Sequence, residues 1–162
     1  MCGLVGVLDL QRRFAVGQGE HIVKDMAAAI HYRGPDMDGY WSSADNLCHL
    51  GHKRLSIIDL SPAGRQPMAD DSGRYVIVFN GEIYNFKELR DQLAATGVTF
   101  RSKSDTEVLL KGYIKFGPAL FAQLDGQFAL AIYDTETRNL VLARDRAGEK
   151  PLYYRAEPGL IA

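Results

Sequence analysis

Short apolar runs bounded by turn-forming residues mark the predicted strands of this chain. The runs lie at residues 3–10, 39–43, 47–52, 75–79, 128–133, 140–143, 152–155 and from 159 onward. Segments 39–43 and 47–52 are expected to form a hairpin, turned at residues 44–46. Runs 75–79 and 128–133 are apolar at successive positions, so both faces of these strands should be covered. The strand ending at Asn80-Gly81 is followed by a helix pattern rather than by a matching strand.

Apolar residues recur every three or four positions in the middle of the chain, which predicts helices there. The first helix covers residues 21–30 and stops at the segment Arg33-Gly34-Pro35-Asp36. Two more begin at capping boxes, in which Asn85 precedes Glu88 and Ser104 precedes Glu107. Strands toward both ends of the chain, helices between them and doubly covered strands together predict a layered α+β domain.

The composition is that of an ordinary soluble globular domain. The 162 residues are 46% hydrophobic and 24% charged, with a net charge of −1 and both signs interspersed, so neither nucleic acid nor an anionic membrane is an expected partner. The apolar N-terminal segment contains Asp9 and lacks a basic flank, unlike a signal peptide. No apolar run approaches the ~20 residues of a membrane span. The chain stops inside the apolar stretch 159–162, so we expect it to be part of a longer protein.

The two cysteines, Cys2 and Cys48, form no spaced pair, which argues against a disulfide framework and a zinc site. This favours a reducing compartment, and we expect the protein to be cytoplasmic. Cys48 is predicted to be a buried free thiol. His49 and His52 have strand-like spacing without a matching acidic cluster, so no metal site is predicted.

Cys2 directly follows Met1, and this placement suggests that Cys2 is a nucleophile at the start of the processed chain. Cysteine is small enough for the initiator methionine to be removed, which would leave a thiol and a free α-amine on one residue. These groups titrate near ~8.5 and ~8, so the amine can act as base for the sulfur, directly or through one water. Two alternatives stay open, a tolerated cysteine without function and a papain-like pair of Cys2 with His52.

Five other residues fit a site for a free amino acid with a side-chain amide. The Asn80 amide and the Gly81 N–H could stabilise an oxyanion, although Asn-Gly is also a frequent hairpin turn. The Arg54 guanidinium could bind an α-carboxylate or a surface acid. Asp105, at the first turn of a predicted helix, could bind an ammonium group together with Glu82, or could serve the helix dipole alone.

Seven segments in family order carry a resemblance over nearly the whole chain. They are Met1-Cys2-Gly3, Arg33-Gly34-Pro35-Asp36, Arg54-Leu55-Ser56-Ile57-Ile58-Asp59, Gln66-Pro67-Met68, Asn80-Gly81-Glu82-Ile83-Tyr84-Asn85, Ser104-Asp105-Thr106-Glu107, and Arg144-Asp145-Arg146 with Gly148 and Lys150-Pro151-Leu152-Tyr153-Tyr154. Together they resemble the glutaminase domain of class II glutamine amidotransferases, and within these the asparagine synthetase type.

The resemblance implies a fold, a substrate and a set of roles. The fold is an N-terminal nucleophile hydrolase sandwich, with four αββα layers and two stacked antiparallel sheets. The substrate is L-glutamine, whose amide is released as ammonia through a Cys2 thioester. Catalytic roles fall to Cys2, Asn80 and Gly81, and glutamine-binding roles to Arg54, Leu55, Ser56, Ile57, Ile58, Asn80, Gly81, Glu82 and Asp105. Arg144, Asp145 and Arg146 are expected to form structural ion pairs.

The sequence departs from the family at Tyr32, where a histidine is usual, and this position is expected to be structural. The Ser-Gly-Gly-x-Asp-Ser loop of the family's synthetase domain does not occur in the chain. The glutaminase half is therefore expected to need no cofactor, whereas ATP and Mg²⁺ belong to a C-terminal synthetase domain. A different acceptor (a peptide, sugar acid or sugar phosphate), a non-catalytic glutamine-sensing module and a homodimer all stay open.

Overall fold

Two antiparallel sheets form the centre of the molecule. The computed structural model describes residues 1–56, 59 and 61–162. The first sheet has the order β2-β3-β1-β9-β8 and the second the order β4-β5-β6-β7. The strands are β1 Gly3–Asp9, β2 Met37–Ser42, β3 Cys48–Arg54, β4 Met68–Ala69, β5 Tyr75–Ile83, β6 Gly126–Asp134, β7 Asn139–Arg144, β8 Ala156–Glu157 and β9 Leu160–Ile161.

Helices cover the outer face of each sheet. They are α1 Gln18–Ala29, α2 Phe86–Ala94 and α3 Asp105–Phe116, with short 3₁₀ turns at His31–Arg33, Pro62–Gly64 and Gly117–Gln123. Helix α1 packs on β1, β2 and β3, whereas α3 packs on β5 and against α2. The layer order is therefore α1, first sheet, second sheet, and α2 with α3, which confirms the expected four layers.

The central strands are buried on both faces, as their apolar runs predict. Val76 and Val78 of β5 pack in the core between the sheets, with Leu8 and Leu50 of the first sheet. Ile77, on the opposite face of β5, packs in the outer core with residues of α2 and α3. Strands β5 and β6 are thus each covered by the first sheet on one side and by helices on the other.

Strand β5 runs through Asn80-Gly81 to Ile83, so the prediction that it ends at this dipeptide is wrong. Pairing with β6 continues along its whole length, out to Ile83 opposite Gly126. Tertiary pairing thus overrides the local turn preference of Asn-Gly. The predicted hairpin of residues 39–43 and 47–52 is confirmed by β2 and β3.

Other predicted boundaries also needed correction. Helix α1 begins at Gln18 rather than at residue 21. Residues 152–155 form no strand, and the last hairpin consists of the two-residue strands β8 and β9. The predicted ion pairs of Arg144, Asp145 and Arg146 do not occur among the described residues. The Asp145 carboxylate instead accepts hydrogen bonds from the backbone N–H groups of Phe128, Glu149 and Lys150.

The two predicted capping boxes differ in outcome. Asn85 is the N-cap residue of α2 but makes no side-chain cap bond. It bonds the connection before β6, donating to Gln123 O and accepting from Asp125 N–H. At α3 the Ser104 hydroxyl accepts from Glu107 N–H, as predicted. In the described part of the chain, no helix has the length and apolarity to cross a bilayer.

Candidate active site

Cys2 lies at the entrance to β1, half-buried against the segment that follows β3. Its Sγ accepts a hydrogen bond from Leu55 N–H at 3.3 Å. Burial raises the pKa of the Cys2 thiol, although Leu55 N–H and the charge of Arg54 oppose that effect. The thiol is therefore mostly protonated near neutral pH, and a base must remove its proton before it can act as a nucleophile. Met1 precedes Cys2 in this structure, so the Cys2 nitrogen is an amide.

The Arg33-Gly34-Pro35-Asp36 segment holds Cys2 and its neighbours in place. Arg33 Nε donates to the Cys2 carbonyl oxygen at 3.0 Å. Asp36 N–H donates to Arg54 O at 3.0 Å, and the Asp36 carboxylate accepts from Ser56 N–H at 2.8 Å. Sequence reasoning placed this segment among those that carry the family resemblance but gave it only the role of a helix stop, because its function depends on contacts with β1 and β3 that are distant in sequence.

The Gly81 N–H points into the site because of its position in the β-ladder. Gly81 lies opposite Phe128, and both backbone groups of Phe128 are bonded to Asp145, on the far side of β6. In an antiparallel ladder, bonded and non-bonded pairs alternate, so Gly81 and Phe128 form a non-hydrogen-bonded pair. The Gly81 N–H therefore points away from β6, and no described residue accepts a hydrogen bond from it.

The Asn80 side chain projects from the face of β5 that meets the first sheet, where Cys2 lies. Asn80 is buried, and its side-chain amide donates to no other described residue. A Cβ atom at Gly81 would overlap Gln127 O, so only glycine fits this position. The Gly81 N–H and the Asn80 side-chain amide therefore face the same small space, and neither has an acceptor among the described residues.

That space is a cavity of about 170 Å³, smaller than the ~300–1,000 Å³ of a drug-sized ligand site. Seven residues with predicted roles line it, namely Cys2, Arg54, Leu55, Asn80, Gly81, Glu82 and Asp105. Ser56 does not line it, and Ile57 and Ile58 lie outside the described residues. Residues that sequence reasoning did not assign to the site also line it, namely Asp59, Gly64, Gln66, Phe79, Ser104, Thr106, Gln127 and Lys150.

Arg54 is a buried cation without an anionic partner among the described residues. It ends β3, and only 6% of the residue is exposed. Its guanidinium donates to the backbone carbonyls of Ser61 (3.2 Å) and Asp59, and a Cβ at Gly64 would overlap it. Because a buried charge is costly unless paired, this site favours an anion such as a carboxylate. The geometry does not fit a surface salt bridge.

Asp105 is the first residue of α3 and is only 5% exposed. One carboxylate oxygen accepts from Ile83 N–H at 3.2 Å and the other from Thr106 N–H at 2.9 Å. Burial raises the pKa of Asp105 to about 6. The negative charge of Glu82 also raises this pKa, whereas the backbone hydrogen bonds lower it. The carboxylate is thus still ionised at pH 7, and a cation beside it would stabilise that form.

Comparison with known proteins decides the family. Residues 1–161 match the family described as "Glutamine amidotransferase domain". The chain belongs to this family. Its αββα sandwich also superposes on glutamine phosphoribosylpyrophosphate amidotransferase from B. subtilis with a TM-score of 0.79, at 18% identity, covering 98% of this chain and 40% of that one. At that identity the likeness concerns the fold alone, and it confirms the predicted N-terminal nucleophile hydrolase type.

Relatives of this glutamine amidotransferase domain are longer proteins. The chain is 44% identical over 154 residues to "Asparagine synthetase [glutamine-hydrolyzing] 1" of Bacillus subtilis, covering 95% of this chain and 24% of the relative. It is 40% identical over 141 residues to "Amidase chry2" of Gibberella zeae, covering 85% of this chain and 21% of the relative. The chain thus spans about a quarter of the relatives it matches.

The alternative base His52 does not reach the thiol of the amidotransferase domain. His52 lies between the sheets, where its Nε2 contacts Phe79 O at 3.0 Å, and it does not line the cavity. The structure therefore does not support a papain-like pair of Cys2 with His52. Cys48 is fully buried between the sheets, as predicted.

Proposed function

We propose that this domain hydrolyses the side-chain amide of L-glutamine to glutamate and ammonia. One observation carries the proposal. A half-buried thiol, a buried guanidinium and a buried carboxylate line the same small cavity as two hydrogen-bond donors without described protein acceptors. These are the groups that a free amino acid with an amide side chain requires.

The charges in the cavity orient the substrate. The α-carboxylate of glutamine binds the Arg54 guanidinium, and the α-ammonium binds the carboxylate of Asp105 and, at the exposed rim, that of Glu82. The backbone at Leu55 completes the wall beside the thiol. With its two charged groups fixed, the side-chain amide extends toward Cys2.

Removal of Met1 supplies the base. The exposed α-amine of Cys2 takes the thiol proton as the sulfur attacks the amide carbon, and a C–S bond forms. The Asn80 amide and the Gly81 N–H stabilise the oxyanion, and loss of one such donor typically costs ~2.7–4 kcal/mol. The α-ammonium then protonates the leaving nitrogen as the C–N bond breaks, which yields ammonia and a thioester. Water, deprotonated by the amine, hydrolyses the thioester to glutamate and regenerates the thiol.

The parent protein is proposed to be a glutamine-hydrolysing asparagine synthetase, of which this domain is the N-terminal part. Supporting this, relatives of that name are about four times as long as the match. An apolar groove of about 380 Å³ lies beside the site, and Asn80 lines both spaces. Tyr153, which lines the groove, is 88% exposed. Ammonia released at Cys2 would leave past Asn80 toward a synthetase domain seated on this groove.

The acceptor of the ammonia belongs to that second domain. We propose aspartate, with ATP and Mg²⁺ bound in the synthetase domain and no cofactor in the glutaminase domain. The identity to a relative named as an amidase keeps a different acceptor open as the second candidate. A cytoplasmic location and a homodimer stay predictions.

The experiment that tests the proposal is glutamate release from glutamine by the processed domain. Cys2→Ala should abolish release while thermal unfolding is unchanged, because only a small side chain is trimmed. Cys48→Ala is the matched control, since it removes the other thiol, fully buried far from the cavity, and should keep activity. Activity in Cys2→Ala, or full activity in a protein whose intact mass retains Met1, would contradict the mechanism.

A further inference from the structure

One edge of β5 is paired with β6, and the other edge faces the active site. Next to Asn80 and Gly81, no strand among the described residues pairs with that second edge. Strand β4 pairs with β5 only at Val76 and Ile77. Past Ile77, the N–H and C=O of Phe79 point toward this unpaired edge, two residues before Gly81. Because an unpaired buried backbone group is costly, this edge needs other partners.

Two buried side chains supply these partners. Gln66 Oε1 accepts from Phe79 N–H at 2.6 Å, and His52 Nε2 donates to Phe79 O at 3.0 Å. Gln66 and His52 are 6% and 1% exposed. Both backbone groups of Phe79 are thus held by side chains from the first sheet and from the segment before β4, which takes the place of a missing strand.

The tautomer of His52 follows from its partner. A carbonyl oxygen only accepts hydrogen bonds, so Nε2 carries the proton. Burial lowers the pKa of His52 to about 4, with a smaller contribution from the Arg54 charge and against the bond to Phe79. The neutral ring therefore donates from Nε2 throughout the neutral pH range, whereas Nδ1 has no partner among the described residues.

Gln66 also ties this edge to the ammonium-binding end of the cavity. Its Nε2 donates to Thr106 Oγ1 at 3.2 Å. Thr106 follows Asp105, whose carboxylate accepts from Ile83 N–H. Hydrogen bonds therefore fix β5 on both sides of Asn80 and Gly81, at Phe79 and at Ile83.

We propose that His52 and Gln66 are positioning residues of the oxyanion hole. They hold the N–H and the C=O of Phe79, in the two peptide groups that flank this residue, and thereby set where the Asn80 amide and the Gly81 N–H point. This inference rests on the proposed glutaminase function. His52 is the sharper case, because it does not line the cavity and acts only through the backbone of β5.

Two amide substitutions separate positioning from packing. The amide nitrogen of His52→Gln lies at the same distance along the side chain as Nε2, so it can still donate to Phe79 O. The shorter His52→Asn places its amide nitrogen near Nδ1 and loses the bond. A displaced catalytic group costs roughly 100-fold per ångström, so kcat should fall roughly 10–100-fold in His52→Asn, with the glutamine KM unchanged. His52→Gln should restore kcat to within a few-fold of the unsubstituted protein.

Inhibitor binding gives a readout independent of turnover. L-Glutamate γ-semialdehyde adds to the Cys2 thiol and places a tetrahedral oxygen in the oxyanion hole, whereas L-glutamate forms no such adduct. His52→Asn should weaken semialdehyde binding roughly 10–100-fold, the same factor as kcat, and leave glutamate binding unchanged. Gln66→Met, which removes the acceptor of Phe79 N–H, should act in the same direction and replaces His52→Asn if that variant does not fold.

The outcomes distinguish the inference from the function beneath it. If the processed domain releases no glutamate from glutamine, the proposed function fails and the inference falls with it. If the domain is active but His52→Asn keeps its kcat, the positioning role is wrong. The positioning role would also be wrong if His52→Asn and His52→Gln lost equal activity in step with a lower Tm and bound the semialdehyde and glutamate equally weakly. That pattern would show a packing role for His52.

Discussion

We expect Asp105 to make glutamine binding depend on pH. Its carboxyl has a raised pKa of about 6, and only the ionised form attracts the substrate ammonium. As pH falls through about 6, Asp105 takes up a proton and glutamine affinity falls, approaching tenfold per pH unit below the pKa. Titration calorimetry of L-glutamine with the inactive Cys2→Ala variant measures this without interference from turnover.

Two variants in the Cys2→Ala background test this assignment. Asp105→Asn should bind glutamine weakly at every pH and lose the acid dependence near pH 6, because the buried carboxyl with the raised pKa is gone. Glu82→Gln removes a neighbouring negative charge that raises the Asp105 pKa, so the fall in affinity should move to lower pH. An acid dependence that persists in Asp105→Asn would assign the titration to another group.

Residue types, their local positions and the family resemblance were enough to predict seven of the described residues that line the cavity. Cys2 next to the initiator, Arg54 at a strand end and Asp105 at a helix start are each visible in the sequence. Gln66 and His52 were not assigned to the site, because their importance depends on β4 ending before Phe79. The length of a neighbouring strand is set by long-range pairing, which local patterns do not encode.

At the scale of elements, the start of α3 positions the carboxylate of Asp105, which is proposed to bind the substrate ammonium. Ser104 caps the helix by accepting from Glu107 N–H at 3.2 Å. Ser104→Ala should destabilise the domain by ~0.5–2 kcal/mol. It should also raise the glutamine KM more than it lowers kcat, since Asp105 is the next residue. Thermal unfolding and glutaminase kinetics measure the two effects.

Ser104→Thr is the matched variant for this prediction, because it keeps the hydroxyl that accepts the cap bond. It should retain a KM close to that of the unsubstituted domain. If Ser104→Ala lowers stability but leaves KM unchanged, the cap stabilises the helix without positioning Asp105.

The same helix start shows how far a local motif reaches. The capping box correctly predicts the serine bond but not the partner of Glu107. The Glu107 carboxylate accepts from Arg101 N–H and Ser102 N–H, because the chain before α3 curls over the helix end. A pattern of four residues locates a helix start, whereas the path of the preceding chain depends on what it packs against.

At the scale of the molecule, the cavity is assembled from several layers. Cys2 and Arg54 come from the first sheet, Asn80 and Gly81 from the second sheet, and Asp105 from the helical layer beyond it. The sequence predicts the layers because doubly apolar strands require cover on both faces. It does not predict how the sheets are aligned, because that follows from how the side chains between them interlock.

Core substitutions can separate sheet alignment from overall stability. Leu50 packs between the two sheets, and Leu93 packs in the outer core between β5 and the helices. Leu50→Ala and Leu93→Ala should each cost ~2–5 kcal/mol of stability. Only Leu50→Ala should also lower kcat at temperatures where both variants are folded, because it alone loosens the contact that sets Cys2 against Asn80. Equal kcat values for the two variants would show that the sheets hold their alignment without this contact. The position of the Cys2 thiol would then depend on the bonds that Cys2 makes with Arg33 and Leu55.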